Sequence, residues 1–252
     1  MIKYVLCLGI LLYVTVVLSM YLLQRKMMYF PHEAPEHTHY EVLDIASDEL
    51  MIKVVTQGSQ REQAVIYFGG NGEDIYAGAE RMQAAFMDKA AYYVNYPGYG
   101  GSSGAPTETT ITQSARAVYE YVSARHPSVA VVGRSLGSGV AVKLASEYAV
   151  SHLVLISPYD SIANIASKYY PFFPSSLIKD KFDSASLGSK MRAKTLIIMA
   201  GDDIIIPISH SQRLIETLNQ TQPISKVYAQ ANHNNVHLMD GFMWLVRDFL
   251  GQ

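Results

Sequence analysis

The sequence predicts an α/β fold with a mostly parallel central sheet, helices on both faces and a short lid, preceded by an N-terminal transmembrane helix. Three observations predict it. From residue 41 onward, short apolar runs rich in Val, Ile and Tyr alternate with longer segments of helical periodicity. One run passes through Gly133-Arg134-Ser135-Leu136-Gly137 straight into a helix-compatible segment. The 20 residues 4–23 carry no charge.

Composition narrows the function classes. The chain has 252 residues, 49% hydrophobic and 17% charged, enough for one sizeable core. Its net charge is −2 and no Lys/Arg-rich run stands out, so no nucleic-acid partner is expected. Cys7 is the single cysteine, which excludes an intramolecular disulfide and a zinc site built on several thiolates.

At about 1.5 Å per residue, residues 4–23 reach roughly 30 Å, the hydrocarbon thickness of a bilayer. Lys3 precedes the run and Gln24, Arg25 and Lys26 follow it. No small-residue cleavage pattern succeeds it, so residues 1–27 read as an uncleaved single-pass anchor rather than a cleaved signal or a buried helix. Basic residues lie on both sides, so the positive-inside rule leaves the orientation open. Residues 31–39 form a polar connector. Its His32, His37 and His39 have no further ligand cluster and read as solvated, so neither a metal nor a cofactor is expected.

Strands are expected at 50–56, 64–68, 91–96, 129–132, 152–156, 195–200 and 226–228. Helices are expected at 78–89, 108–125, 136–149, 209–218 and 237–250. In the second of these, Ile111, Ala115, Val118 and Val122 form one stripe. No helix separates the first two strands, which suggests an antiparallel start to the sheet. In open α/β sheets the ligand site lies at the carboxyl ends of the strands, so the loops there should hold the chemistry.

Three of those loops carry it. G-x-S-x-G on a sharp strand-to-helix turn exposes a serine hydroxyl, and the glycines remove Cβ atoms that would clash. Ser135 is therefore the expected nucleophile. It needs a base, and the base an orienting carboxylate. Asp202 and Asp203 emerge together after 195–200, and His233 stands in the loop after 226–228, with His237 as its competitor. His152 and His210 read as structural or exposed. The backbone N–H of Leu136 is one expected oxyanion donor. The loop Gly69-Gly70-Asn71-Gly72-Glu73-Asp74 offers Asn71 N–H as the second. It lacks the Lys and Ser/Thr of a nucleotide-binding P-loop.

These stretches resemble the α/β-hydrolase superfamily, and within it the membrane-anchored Bem46/ABHD13/ABHD17-like group. Residues 68–72 are similar to its H-G-N-x oxyanion loop, 95–104 to its D-Y-R-G-Y-G-x-S-x-G loop, and 133–137 to its elbow. Residues 157–161 with 182–184 are similar to its short lid, here taken as about 158–194. Gly201 to Pro207 resembles its G-x-x-D-x-I-V-P turn, which assigns the acid to Asp203. The likeness covers roughly residues 28–250, so residues 28–252 are expected to form the catalytic domain. Gly69 departs from the usual His and Pro97 from the common Arg, and Asn234-Asn235 stand where Asn-Asp is usual.

These residues and the resemblance point to a serine hydrolase acting on an ester or thioester, with Gly70 and Tyr99 expected at the substrate; the membrane anchor favours a lipid or an acylated protein as substrate by proximity alone. Peptidase-like hydrolysis, acyl transfer to an alcohol, and a non-catalytic binding protein of the same fold stay open. The aromatic cluster at 169–174 reads first as core, and second as acyl pocket or membrane contact.

Overall fold

The computed structural model describes all 252 residues. A single eight-stranded sheet runs β1 (Glu41–Ser47), β2 (Leu50–Gln57), β4 (Ala90–Val94), β3 (Gln63–Phe68), β5 (Ser128–Arg134), β6 (His152–Ile156), β7 (Lys194–Ala200), β8 (Ile224–Tyr228) in spatial order. β1 pairs antiparallel with β2 and β2 with β4; every other pair is parallel. The start is thus antiparallel, as the missing helix suggests. It also contains a strand the sequence reading lacks, because 41–47 mixes polar and apolar residues on a half-solvated edge.

The central strands are buried on both faces, which is why they read as unbroken apolar runs. On one face, Ile66, Phe68 and Val131 meet α3 (Glu108–Ser123), α4 (Leu136–Glu147) and α6 (Ile208–Thr217). On the other, Val65, Tyr67 and Val132 meet α2 (Ile75–Met82) and α7 (Phe242–Leu250). Two helices are shorter than expected. The segment expected as 78–89 starts earlier, capped by Asp74, and breaks into turns after Met82. The last expected helix, 237–250, is a 3-10 turn at Val236–Leu238, then α7 begun by Gly241 at φ 75°.

α1 (Ile2–Met28) is long and apolar enough to cross a membrane, and none of its residues is buried. Val17, Met20, Tyr21, Gln24 and Met28 are partly covered, a spacing that puts one helix face against residues 162–181. Those residues form α5 (Ile162–Tyr169) and irregular turns. The aromatic cluster at 169–174 is mostly not core: Phe173 is buried, but Tyr169, Tyr170 and Phe172 are exposed.

Candidate active site

The turn from β5 into α4 is the most constrained point of the sheet's carboxyl edge. Ser135 holds φ 51° and ψ −118°, a region non-glycine residues seldom occupy. Its N–H donates to the Ile156 carbonyl at 2.9 Å, and its carbonyl accepts from Ser138 Oγ at 2.7 Å. The flanking glycines allow the turn. A Cβ at Gly133 would lie 2.3 Å from the Gly137 carbonyl oxygen, and one at Gly137 would lie 2.1 Å from that of Phe68. Backbone approaches backbone there, so no larger residue fits.

Two further loops converge on this turn. After β7, Asp203 Oδ1 accepts from the N–H groups of Ile205 at 3.0 Å and Ile206 at 2.7 Å, which fixes the carboxylate. Its Oδ2 lies 2.7 Å from His233 Nδ1, and His233 Nε2 lies 2.8 Å from Ser135 Oγ. All three residues are buried, whereas Asp202 is exposed. Burial alone would raise the Asp203 carboxyl. The hydrogen bond and charge of His233, with the two backbone donors, outweigh it and hold the carboxyl below its ordinary value. An ionised carboxylate only accepts, so Nδ1 carries the imidazole proton and Nε2 is left to accept the serine hydroxyl. His237, the alternative base, sits in the turn before α7 and lines a polar hollow with Asn71 and Arg134.

Leu136 is the first residue of α4, so its N–H has no partner within the helix, and Asn71 N–H donates to no protein acceptor. Gly70 N–H is taken by Glu73 Oε2 at 2.7 Å. The site of a Gly70 Cβ is 3.5 Å from Ser135 Cβ, so Gly70 does border the serine. Tyr99 departs from the expected substrate contact. It is buried, and its hydroxyl donates to Asn71 Oδ1 at 2.9 Å while accepting from Phe30 N–H at 2.9 Å. It holds the loop and the chain after α1, not a substrate. Asn71 Nδ2 completes this clasp by donating to the Met28 carbonyl.

The sequence reading missed Glu73 and Arg134. Arg134 Nη1 donates to Glu73 Oε2 at 3.0 Å, and Nη2 donates to the His233 carbonyl at 3.0 Å. Glu73 Oε1 also accepts from Arg81 at 2.8 Å and the Tyr67 hydroxyl at 3.0 Å. One buried carboxylate and one guanidinium thus tie the 69–74 loop to the histidine's loop. Burial opposes the charge on Glu73, but Arg134, the Gly70 N–H and Arg81 prevail and lower its pKa. A signal was available: an arginine at the end of a buried strand needs a carboxylate partner. A second cluster, buried at Asp160 and His210 and exposed at Arg213, joins Asp160 to His210 at 2.7 Å and Arg213 at 2.6 Å and fastens the start of the 158–194 segment to α6.

No family model matches the chain. It is 31% identical over 248 residues to the uncharacterized protein MT2364 of Mycobacterium tuberculosis, covering 90% of this chain and 87% of that one. It is 29% identical over 163 residues to human alpha/beta hydrolase domain-containing protein 17B, covering 63% of this chain and 55% of that one. The solved esterase Pf2001 of Pyrococcus furiosus superposes with a TM-score of 0.72 at 15% identity, over 89% of this chain and 97% of the esterase. With its sheet order, its elbow and these relatives, the chain has the α/β-hydrolase fold, belongs to one family with MT2364, and is similar over part of its length to alpha/beta hydrolase domain-containing protein 17B.

Proposed function

We propose that the protein is a serine hydrolase that cleaves carboxylic ester or thioester bonds and is held in a membrane by α1. The observation that supports this most is the unbroken chain from Asp203 through His233 to Ser135, at 2.7 and 2.8 Å, on a strained serine.

Ser135 Oγ attacks the acyl carbon as its proton passes to His233 Nε2. Asp203 stabilises the imidazolium that forms. The tetrahedral oxygen takes the N–H groups of Leu136 and Asn71, both without protein acceptors. His233 then returns the proton to the leaving alcohol or thiol. Water, giving its proton to His233, attacks the acyl-enzyme and releases the acid and the free serine. A membrane helix brings the site to lipids and acylated proteins, which favours acyl substrates by proximity.

Labelling with a fluorophosphonate probe tests the reading. The wild type is expected to label and to hydrolyse p-nitrophenyl butyrate, and Ser135→Ala to do neither. Equal labelling of both would remove Ser135 from its role.

A further inference from the structure

Residues 169–178, Tyr-Tyr-Pro-Phe-Phe-Pro-Ser-Ser-Leu-Ile, carry no charge and are bracketed by Lys168 and Lys179. They run back along α1, away from the sheet. The Phe172 carbonyl accepts from the Tyr13 hydroxyl at 3.1 Å, and the Leu177 carbonyl from Gln24 Nε2 at 3.2 Å. Leu177 shares an apolar hollow with Tyr13, Val17 and Tyr21. Charge begins where this contact ends. Lys179 Nζ lies 4.2 Å from the Tyr21 ring centre, and Arg25 pairs with Asp180 at 2.8 Å.

This fixes a depth. The uncharged run of α1 ends at Leu23, and crossing a bilayer takes about 20 residues, so the span uses all of 4–23. Contact with the lid starts at Tyr13, the middle of that run. At about 1.5 Å per residue, roughly 15 Å of the span lies alongside the lid. The lid tip is therefore inside the hydrocarbon whenever α1 spans it. Part of its backbone suits that medium: Pro171 and Pro174 have no N–H, and the N–H groups of Tyr170, Phe173, Leu177 and Ile178 are bonded within the segment or to α5, whereas those of Phe172, Ser175 and Ser176 donate to no protein acceptor.

Between α1 and the lid lies a groove of about 420 Å³, in the size range of small-ligand sites. Met20, Met28, Ile165, Tyr169, Phe173 and Ile178 line it, and Gln24 is its one polar residue. Two of its lining residues touch the loops around the site. The Met28 carbonyl accepts from Asn71, and the Tyr169 hydroxyl donates to the carbonyl of Ile204, the residue after Asp203.

We infer that this groove is the acyl-chain site, filled sideways from the bilayer in which the lid tip is immersed. The inference rests on the serine-hydrolase reading above. Its occupant is a long hydrocarbon chain already in the membrane. An apolar groove flanked by a lipid-facing helix meets that chain before any aqueous solute.

The test uses the full chain in phosphatidylcholine vesicles. Ala166→Trp places an indole in the groove, since Ala166 lines it from α5. The ratio of kcat/KM for p-nitrophenyl dodecanoate to that for the butyrate should fall roughly tenfold or more, as methylenes lose their cover. Fluorophosphonate labelling of Ser135 persists. An unchanged ratio overturns the groove assignment, and so does an equal loss on both esters. Absent labelling in the wild type overturns the hydrolase reading itself. A second variant keeps the proposal falsifiable if the first misfolds. With Trp244→Phe removing the one native tryptophan, Phe172→Trp emission should be quenched by lipids brominated along their acyl chains. Quenching only by aqueous acrylamide would put the lid outside the bilayer and overturn the proposal.

Discussion

Replacing Arg134 by Leu removes the guanidinium that joins the 69–74 loop to the histidine's loop. Arg134 is 16% exposed and Glu73 4%, so the pair is shielded from solvent. Breaking a buried ion pair costs about 3–5 kcal/mol, because the remaining charge is stranded. Glu73 keeps the Gly70 N–H, the Tyr67 hydroxyl and Arg81, which puts the expected loss near the lower bound, about 3 kcal/mol. In a domain of this size 1 kcal/mol moves Tm by roughly 2–4 °C, so the melt should drop by roughly 6–12 °C. The His233 carbonyl also loses its donor, and a displaced imidazole should lower kcat on p-nitrophenyl butyrate by about tenfold. Scanning calorimetry in detergent micelles reads the first quantity, and absorbance of released nitrophenol the second. The double variant Arg134→Leu/Glu73→Gln removes the stranded charge and should regain about half of the lost stability. A melt within about 2 °C of wild type, with kcat unchanged, would refute the coupling between these loops.

Asp203→Asn should cut kcat by roughly three to four orders of magnitude by reversing the imidazole tautomer, while exposed Asp202→Asn changes it by less than about twofold; the opposite order would reassign the acid. Gly137→Ala should destabilise the fold by about 3 kcal/mol and abolish probe labelling, since the new methyl meets the Phe68 carbonyl. Acid should destabilise the protein through Glu73, Asp160 and Asp203, whose carboxyls are all held low in the fold. Unfolded, they return to about 3.9 for Asp and 4.3 for Glu and bind protons the folded state refuses. Their contribution is therefore complete above about pH 5 and is lost as the pH falls through the folded-state values. Melting against pH measures this, and Glu73→Gln should flatten the acid slope.

Periodicity and spacing made much of this protein legible. The doubly covered sheet follows from apolar runs that do not alternate, since strands buried on both faces have no polar side to display. The elbow follows from two glycines whose necessity is purely steric. His233 and the adjacent pair Asp202 and Asp203 follow from their places at strand ends, because a parallel sheet delivers every such loop to one edge, while the choice of Asp203 within the pair follows only from the resemblance of its turn. The 20 uncharged residues at 4–23 define a helix by length and polarity alone.

Other features depend on long-range contacts that no local pattern encodes. The partners of Arg134 lie 61 and 99 residues away, and only the folded chain brings Glu73 and the His233 carbonyl to one guanidinium. Tyr99 looked available to a substrate, yet closure against Phe30 and Asn71 buries it. The aromatic segment at 169–174 carries the composition of a core, but its docking along α1 turns most of it outward. Sequence fixes which surfaces must avoid water; tertiary structure decides which neighbour, or which solvent, they meet instead.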